Sequence, residues 1–256
     1  MIIPDYLISQ IKDCKCILFL GSGASKEATD SYGKHPPIGN ELSKMISQKF
    51  LGGKYDNSPL SIVSELAISE SNLSEVQNFI GEIFKDFEPT KAHSIMTSIR
   101  WWGVATTNYD LLLEKAYKSN KKSCQIPIPF IENGDRVESN LKNPNALPYL
   151  KLHGCITRLS NKECPLILTP EQYIQYKKNR DRIFNHLYDW AYEFPIVFIG
   201  YSLQDPDIRA TLLELSQLGE GRPRYYEPVR QLSKTSGELR LATNSPGNIS
   251  FQMKYA

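Results

Sequence analysis

The sequence has no long hydrophobic run and no secretory signal. Its longest fully apolar stretches, residues 17–20 and 196–199, are only as long as a single β-strand, whereas crossing a bilayer takes about 18 apolar residues. The first residues, MIIPD, lack the basic patch, apolar core and cleavage site that a secretory signal combines. We therefore expect a protein that stays in the cytoplasm and spans no membrane.

Cysteine is scarce, and its spacing excludes two kinds of site. The chain has five cysteines and no C-x-x-C pair. An odd number of cysteines without such pairs fits neither a disulfide framework nor a four-thiolate zinc centre. We expect them to be reduced and mostly structural, and we predict no metal site. They are Cys14, Cys16, Cys124, Cys155 and Cys164.

The chain also lacks an excess of charge of either sign. Its 30 Lys and Arg against 28 Asp and Glu give a formal net charge of +2, which does not indicate a nucleic-acid partner. Four lysines between residues 115 and 122 are better explained as the solvated end of a helix than as a nucleic-acid patch. With 256 residues, 41% of them hydrophobic, the chain can form one large α/β domain or two small ones.

Strand and helix signals alternate along most of the chain, which predicts a Rossmann-like, doubly wound parallel sheet. The candidate strands are residues 15–20, 102–106, 149–152 and 195–199. A capping pattern at residues 169–172 predicts one long helix to about residue 193, and Asp205 and Pro206 predict another helix start. Two helices between residues 59 and 87 indicate a helical insertion of about residues 58–98. We predict a catalytic domain over residues 1–218, followed by an unassigned tail or junction over residues 219–256.

Ligands of open parallel sheets bind beyond the carboxyl ends of the strands, and the first predicted strand ends in GSGAS, residues 21–25. The glycines allow a tight turn and a close approach to a phosphate. Lys26 stands where a dinucleotide-binding loop has its third glycine, and no Lys-Ser or Lys-Thr pair supports a triphosphate loop. The residues alone fit a phosphate site and ordinary turn chemistry equally well.

Polar residues follow the other three strands as well. Asn108 and Asp110 come after the second strand, where either could simply cap a helix. His153 comes directly after the third strand and is either structural or functional. Gly200 and Ser202 come after the fourth, where a turn is the simpler explanation. Four strand ends that all carry such residues are harder to explain as turns alone.

These four segments, read together as GSGAS, TTNYD, LHG and GYSLxDP, resemble the sirtuin-like domain of bacterial anti-phage defence proteins over about residues 15–218. The resemblance implies a domain that hydrolyses the nicotinamide–ribose bond of NAD, its substrate, and so depletes NAD in abortive infection. It also implies a homo-oligomer, or a partner protein of the defence system that gates the activity.

The resemblance also assigns roles to residues. Asn108 and His153 would be catalytic, with Asn108 positioning the ribose and the attacking water and His153 binding a ribose hydroxyl and acting as base. Asp110 is either a polar contact on the nicotinamide side or part of the helix start. The implied NAD-binding residues are Gly21, Ser22, Gly23, Ala24, Ser25, Thr107, Asp110, Gly200 and Ser202.

One departure from the deacylating sirtuins separates the possible activities. Those enzymes carry a zinc ribbon built from two C-x-x-C pairs, and this sequence has none. NAD hydrolysis is therefore favoured over protein deacylation. A module that senses NAD or ADP-ribose without turning it over is the main alternative.

Overall fold

The computed structural model describes residues 4–135, 142–202, 205–216, 225–226, 228–229 and 253–254. Ten α-helices are labelled here in chain order: α1 (Asp5–Lys12), α2 (Ser22–Ser25), α3 (Gly39–Phe50), α4 (Leu60–Glu70), α5 (Leu73–Phe84), α6 (Lys91–Met96), α7 (Leu112–Ser119), α8 (Pro170–Ile174), α9 (Asp181–Glu193) and α10 (Pro206–Ser216). None of the described helices combines the length and hydrophobicity that crossing a bilayer requires.

Six parallel strands form one sheet in the order β3-β4-β2-β1-β5-β6. Their bounds are β1 (Ile17–Leu20), β2 (Gly103–Thr106), β3 (Ile126–Phe130), β4 (Ala146–Lys151), β5 (Ile196–Ile199) and β6 (Tyr225–Tyr226). A separate two-stranded pair joins β7 (Pro228–Val229) to β8 (Met253–Lys254). The parallel sheet with its helices confirms the predicted Rossmann-like class.

A hydrophobic core lies on each face of the sheet, and alternating side chains of the central strand β1 contribute to both. Ile17 and Phe19 pack with residues of α9 and α10 on one face, while Leu18 and Leu20 pack with residues of α1 and α7 on the other. All four side chains are buried, as expected for a parallel strand covered on both faces.

The two edge strands were not predicted from the sequence. β3 carries Pro127 and Pro129 and is partly exposed along its length except at the buried Phe130. A proline cannot donate to a ladder, so it is tolerated mainly at a sheet edge. β6 is only two residues long and pairs with β5. The sheet therefore extends beyond residue 218, the end of the predicted catalytic domain.

The helix predicted from residue 170 to about residue 193 is two helices, so that prediction was wrong. Its start is confirmed, because Thr169 and Gln172 form a capping box with Pro170 at the first position. The first helix ends at Ile174 and turns follow it. Asn179 in these turns has a positive φ of 58°, a conformation that a right-handed helix cannot continue through, so α9 starts anew after it.

The two helices predicted between residues 59 and 87 are α4 and α5. They pack with α3, which precedes the predicted insertion, around Leu42, Ile46, Val63 and Ile80. Leu166 of the segment after β4 joins the same core. This helical subdomain therefore packs on the segment that follows His153.

Candidate functional site

The site lies where the order of the strands reverses. β1 pairs with β2 on one side and with β5 on the other, so the loops after β1 and β5 meet at the point where parallel sheets bind ligands.

Three glycines let these two loops touch through their backbones. A Cβ on Gly21 would lie 2.6 Å from the carbonyl oxygen of Gly200, and one on Gly200 would lie 2.0 Å from the nitrogen of Ala24. A Cβ on Gly23 would lie 2.8 Å from Cα of Gly200, which itself has a φ of +66°. Close packing therefore explains why glycine stands at all three positions.

Two backbone N–H groups of the first loop are used inside the protein. Gly21 donates to the carbonyl of Ile199 at 3.0 Å and Gly23 to that of Gly200 at 2.8 Å. These two groups hold the loops together and do not point at a ligand. The exposed side chain of Ser22, in contrast, faces the crevice.

A cavity of about 530 Å³ opens at these strand ends. Most of the predicted site residues line it, namely Ser22, Gly23, Ser25, Thr107, Asn108, Asp110, His153, Gly200 and Ser202. Gly21 and Ala24 lie in the loop behind and are not among the lining residues. The wall also includes Lys26, Asn40 in α3 and Leu60 at the start of α4. In the sequence, Lys26 is noted only because it replaces the third glycine of a dinucleotide-binding loop. In the structure, Lys26 places a cation at the cavity.

The segment after β2 joins the first loop through side chains. Asn108 donates from Nδ2 to the carbonyl of Gly21 at 3.0 Å and to Oγ of Ser25 at 3.2 Å. Ser25 in turn donates to Oδ2 of the buried Asp110 at 2.7 Å. The other carboxylate oxygen of Asp110 accepts from the N–H of Leu112 at 3.0 Å. Asp110 therefore binds the first N–H group of α7 and also holds the hydroxyl of Ser25 in place.

A buried lysine supports this segment from below. Lys151, at the end of β4, is fully buried, donates to the carbonyl of Asp110 and pairs with Glu114 Oε1 at 3.0 Å. Burial alone would lower the pKa of Lys151, but the neighbouring carboxylate of Glu114, with smaller contributions from Cys155 and Asp110, raises it to about 12. The ammonium therefore stays charged.

His153 is paired with an acid that sequence reasoning missed. Its Nε2 lies 2.7 Å from Oδ2 of Asp207, and both side chains are buried. The ring of Tyr173 meets the imidazole edge-on at a centroid distance of 5.5 Å. The sequence offered a weak signal, since a second aspartate follows the predicted helix start at Asp205 and Pro206.

Asp205 completes a small acidic group around the histidine. Ligand atoms of His153, Asp205 and Asp207 lie within 4.8 Å of one another, and one nitrogen and two oxygens are a donor set that suits a divalent cation. Within the protein, Nε2 of His153 pairs with Asp207, and Tyr173 donates to Oδ1 of Asp205 at 3.4 Å. Burial, with the nearby acidic groups, raises the pKa of Tyr173 and keeps its hydroxyl protonated.

Fold and cavity together define a Rossmann-like domain with a polar ligand crevice at its switch point. The sequence model of the SIR2-like domain matches residues 103–244, which is more than half of the chain. The chain belongs to this family, which confirms the sirtuin-like resemblance. The matched range includes Asn108, His153 and Asp207 and runs past β6.

A relative found among characterised proteins is the NAD(+) hydrolase ThsA of Enterococcus faecium. The two sequences are 25% identical over 152 residues, which cover 59% of this chain and 30% of the relative. The chain thus matches less than a third of the length of that protein.

Proposed function

We propose that this chain hydrolyses NAD at the bond between nicotinamide and ribose. The observation that carries the proposal is that Asn108 and His153, from two different strand ends, line one cavity of a SIR2-like domain. A relative that bears the name NAD(+) hydrolase supports the same chemistry. The cavity, about 530 Å³, falls in the range of roughly 300 to 1,000 Å³ found for small-molecule sites.

The bond itself determines what the site must do. Nicotinamide leaves with the bonding electron pair and becomes a neutral ring, so positive charge develops on the ribose and the leaving group needs little acid assistance. Water adds to C1′ of the ribose and loses a proton, which gives ADP-ribose. The protein must therefore hold the ribose, place the water and accept a proton.

The side chains at the cavity fit these tasks. The Nδ2 group of Asn108 is held by Gly21 and Ser25, which leaves Oδ1 of the amide to orient the water or the ribose. His153 supplies a base. The hydroxyls of Ser22 and Ser202 and the ammonium of Lys26 would hold the pyrophosphate and the other half of the nucleotide.

The test measures nicotinamide release by chromatography and NAD binding by calorimetry, at several protein concentrations. We expect Asn108→Ala and His153→Ala to reduce turnover at least a hundredfold, since each removes a group that acts on the reacting atoms. His186→Ala and Asn185→Ala are matched controls, because both lie on α9 and neither lines the cavity. Turnover that persists in both site variants would contradict the assignment, and binding without any release would identify a sensing module instead.

We also propose that this activity depletes NAD in anti-phage defence and is gated by self-assembly or by a partner. The support is the family resemblance of the strand-end motifs. In infected cells that express the protein, NAD should fall with the wild type and stay level with His153→Ala. Equal NAD levels in both would contradict the proposed role.

A further inference from the structure

We propose that Asp207 is a positioning residue, which holds His153 in the one tautomer that leaves Nδ1 as the base. Nothing in the family assignment or in the named relative gives this residue a role. The inference about the reaction rests on the proposed function, whereas the inference about the tautomer rests on the geometry alone.

The contact itself determines where the ring proton lies. An ionised carboxylate can only accept hydrogen bonds, so Nε2 of His153 must donate to Oδ2 of Asp207 at 2.7 Å. In the neutral ring the proton is then on Nε2, and Nδ1 carries the free electron pair. The side chains of His153 and Asp207 are 2% and 0% exposed, so losing the contact would leave a buried polar group without a partner, which is costly.

The carboxylate is itself fixed in orientation. Its other oxygen, Oδ1, accepts the N–H of Ile208 at 2.9 Å in the first turn of α10, and Thr211 Oγ1 donates to the backbone oxygen of Asp207 at 3.1 Å. On the other side, the backbone oxygen of His153 accepts from Ile167 at 3.0 Å. Both residues are thus held by backbone hydrogen bonds, and the imidazole is oriented before any substrate binds.

This arrangement serves the proposed reaction in two ways. His153 lines the cavity, and because its Nε2 is bound to Asp207, Nδ1 is the ring nitrogen left to take the proton that water or a ribose hydroxyl gives up. The imidazolium formed in this buried place is then stabilised by the carboxylate of Asp207, which accepts from Nε2 before and after the transfer. No other reactant is needed, because the proton later returns to solvent.

Asp207→Asn should reverse the tautomer without removing the side chain. The N–H of Ile208 requires an oxygen at the Oδ1 position, which puts the amide NH₂ group opposite His153. Nε2 would then have to accept, and the ring proton would move to Nδ1. The imidazole ring would stay in place, but Nδ1 would already carry a proton and could not act as the base.

The experiment uses the full chain labelled with ¹⁵N-histidine, and long-range ¹H–¹⁵N spectra report the tautomer. The chain has four histidines, and the signals of His153 are identified by their loss in His153→Ala. We expect the Nε2–H form in the wild type and the Nδ1–H form in Asp207→Asn. In the same variant kcat should fall roughly 10²- to 10⁴-fold, the range of a lost base, with NAD affinity nearly unchanged. Asp189→Asn, an exposed aspartate of α9, is the control.

The outcomes separate this proposal from the proposed function. An Nδ1–H form in the wild type would overturn it, even if Asp207→Asn failed to fold, because that measurement does not depend on Asp207→Asn. Unchanged tautomer and kcat in a folded Asp207→Asn would overturn it too, as would a shift of the His153 signals on adding Mg²⁺ or Zn²⁺, which would indicate a metal site. If the wild type shows the Nε2–H form but releases no nicotinamide, the positioning stands and the hydrolase assignment fails.

Discussion

At the scale of single residues, crowding and strain act together at Gly200. Its φ is +66° and the space for a Cβ is already filled by the backbone of Gly23 and Ala24. Because that backbone cannot move aside without separating the loops after β1 and β5, the residue determines the shape of the crevice as well as its own turn.

Gly200→Ala should therefore destabilise the protein and weaken NAD binding, and Gly33→Ala separates the two causes. Gly33 has a similar φ of +76° but open space around it, so its substitution should cost only about 1 kcal/mol of unfolding free energy. Gly200→Ala should cost at least about 2 kcal/mol more, as measured by urea denaturation. Equal losses in the two variants would show that the close approach is unimportant.

Lys151 presents a buried charge whose removal leaves another charge without its partner. In Lys151→Met the carboxylate of Glu114, 20% exposed, loses its cation, and we expect a loss of about 3 kcal/mol of unfolding free energy. The double variant with Glu114→Gln should recover part of it. Lys85→Met, from the exposed pair with Glu82, should have no measurable effect, and a similar effect in both single variants would contradict the argument.

The pH dependence of this pair follows from the direction in which folding shifts the pKa of Lys151. The pKa of Lys151 is raised in the folded state from an ordinary value of 10.5 to about 12. Its stabilising contribution is therefore complete below the unfolded-state value and is lost as the pH rises through the folded-state value. The difference in stability between the wild type and Lys151→Met should stay constant from about pH 7 to about pH 9.

At the scale of elements, α5 holds the segment after β4 through one glutamine. Buried Gln77 accepts the N–H of Leu166 at 2.7 Å and donates to the carbonyl of Leu159 at 2.9 Å. The segment between these two residues follows His153, so the helical subdomain supports the His153 side of the cavity as well as forming part of its wall.

Gln77→Leu should leave two buried backbone groups unpaired and cost about 2 to 4 kcal/mol of unfolding free energy. Because the segment next to His153 loosens, we expect NAD turnover to fall with stability when both are measured on one preparation. Gln48→Leu is the matched control, since Gln48 is exposed and bonds only to Asp56 among its described contacts. A stable Gln77→Leu variant would show that packing of the subdomain alone is enough to hold the segment after β4.

How far the sequence predicts these elements depends on burial. The four central strands are short apolar runs and are recognisable as such, whereas the edge strand β3 is interrupted by Pro127 and Pro129 and lacks that signature. The break between α8 and α9 depends on the turn through Asn179, which no local breaker such as glycine or proline marks. Local patterns therefore predict the middle of the sheet better than its edges.

At the scale of the whole molecule, parallel topology brings the four strand ends together, and that follows from the sequence pattern alone. The pairing of side chains does not. Ser25 contacts Asp110 across 85 positions of sequence, and His153 contacts Asp207 across 54. Such contacts depend on strand order and side-chain direction, so the sequence indicates which loops form the site but not that Asp207 supports His153.

The outer strand tests where the folded domain ends. Tyr225 and Tyr226 of β6 are 9% and 3% exposed and pack on opposite faces of the sheet, and β6 pairs with β5, which leads directly to Gly200. A chain ending at residue 218 would lose both side chains and expose the edge of β5.

We therefore expect residues 1–218 to be less stable than residues 1–227 by roughly 3 kcal/mol or more, the value of burying two large side chains. The second variant retains β6 and serves as the matched control. Thermal unfolding measures the difference, and nicotinamide release from both variants shows whether the loop after β5 depends on it. If the two truncated chains are equally stable and behave alike toward NAD, β6 is dispensable and the domain ends at residue 218 as the sequence predicts. If only the longer chain resists unfolding, the functional domain includes the start of the C-terminal segment, because the strand that positions Gly200 needs a neighbour on its outer side.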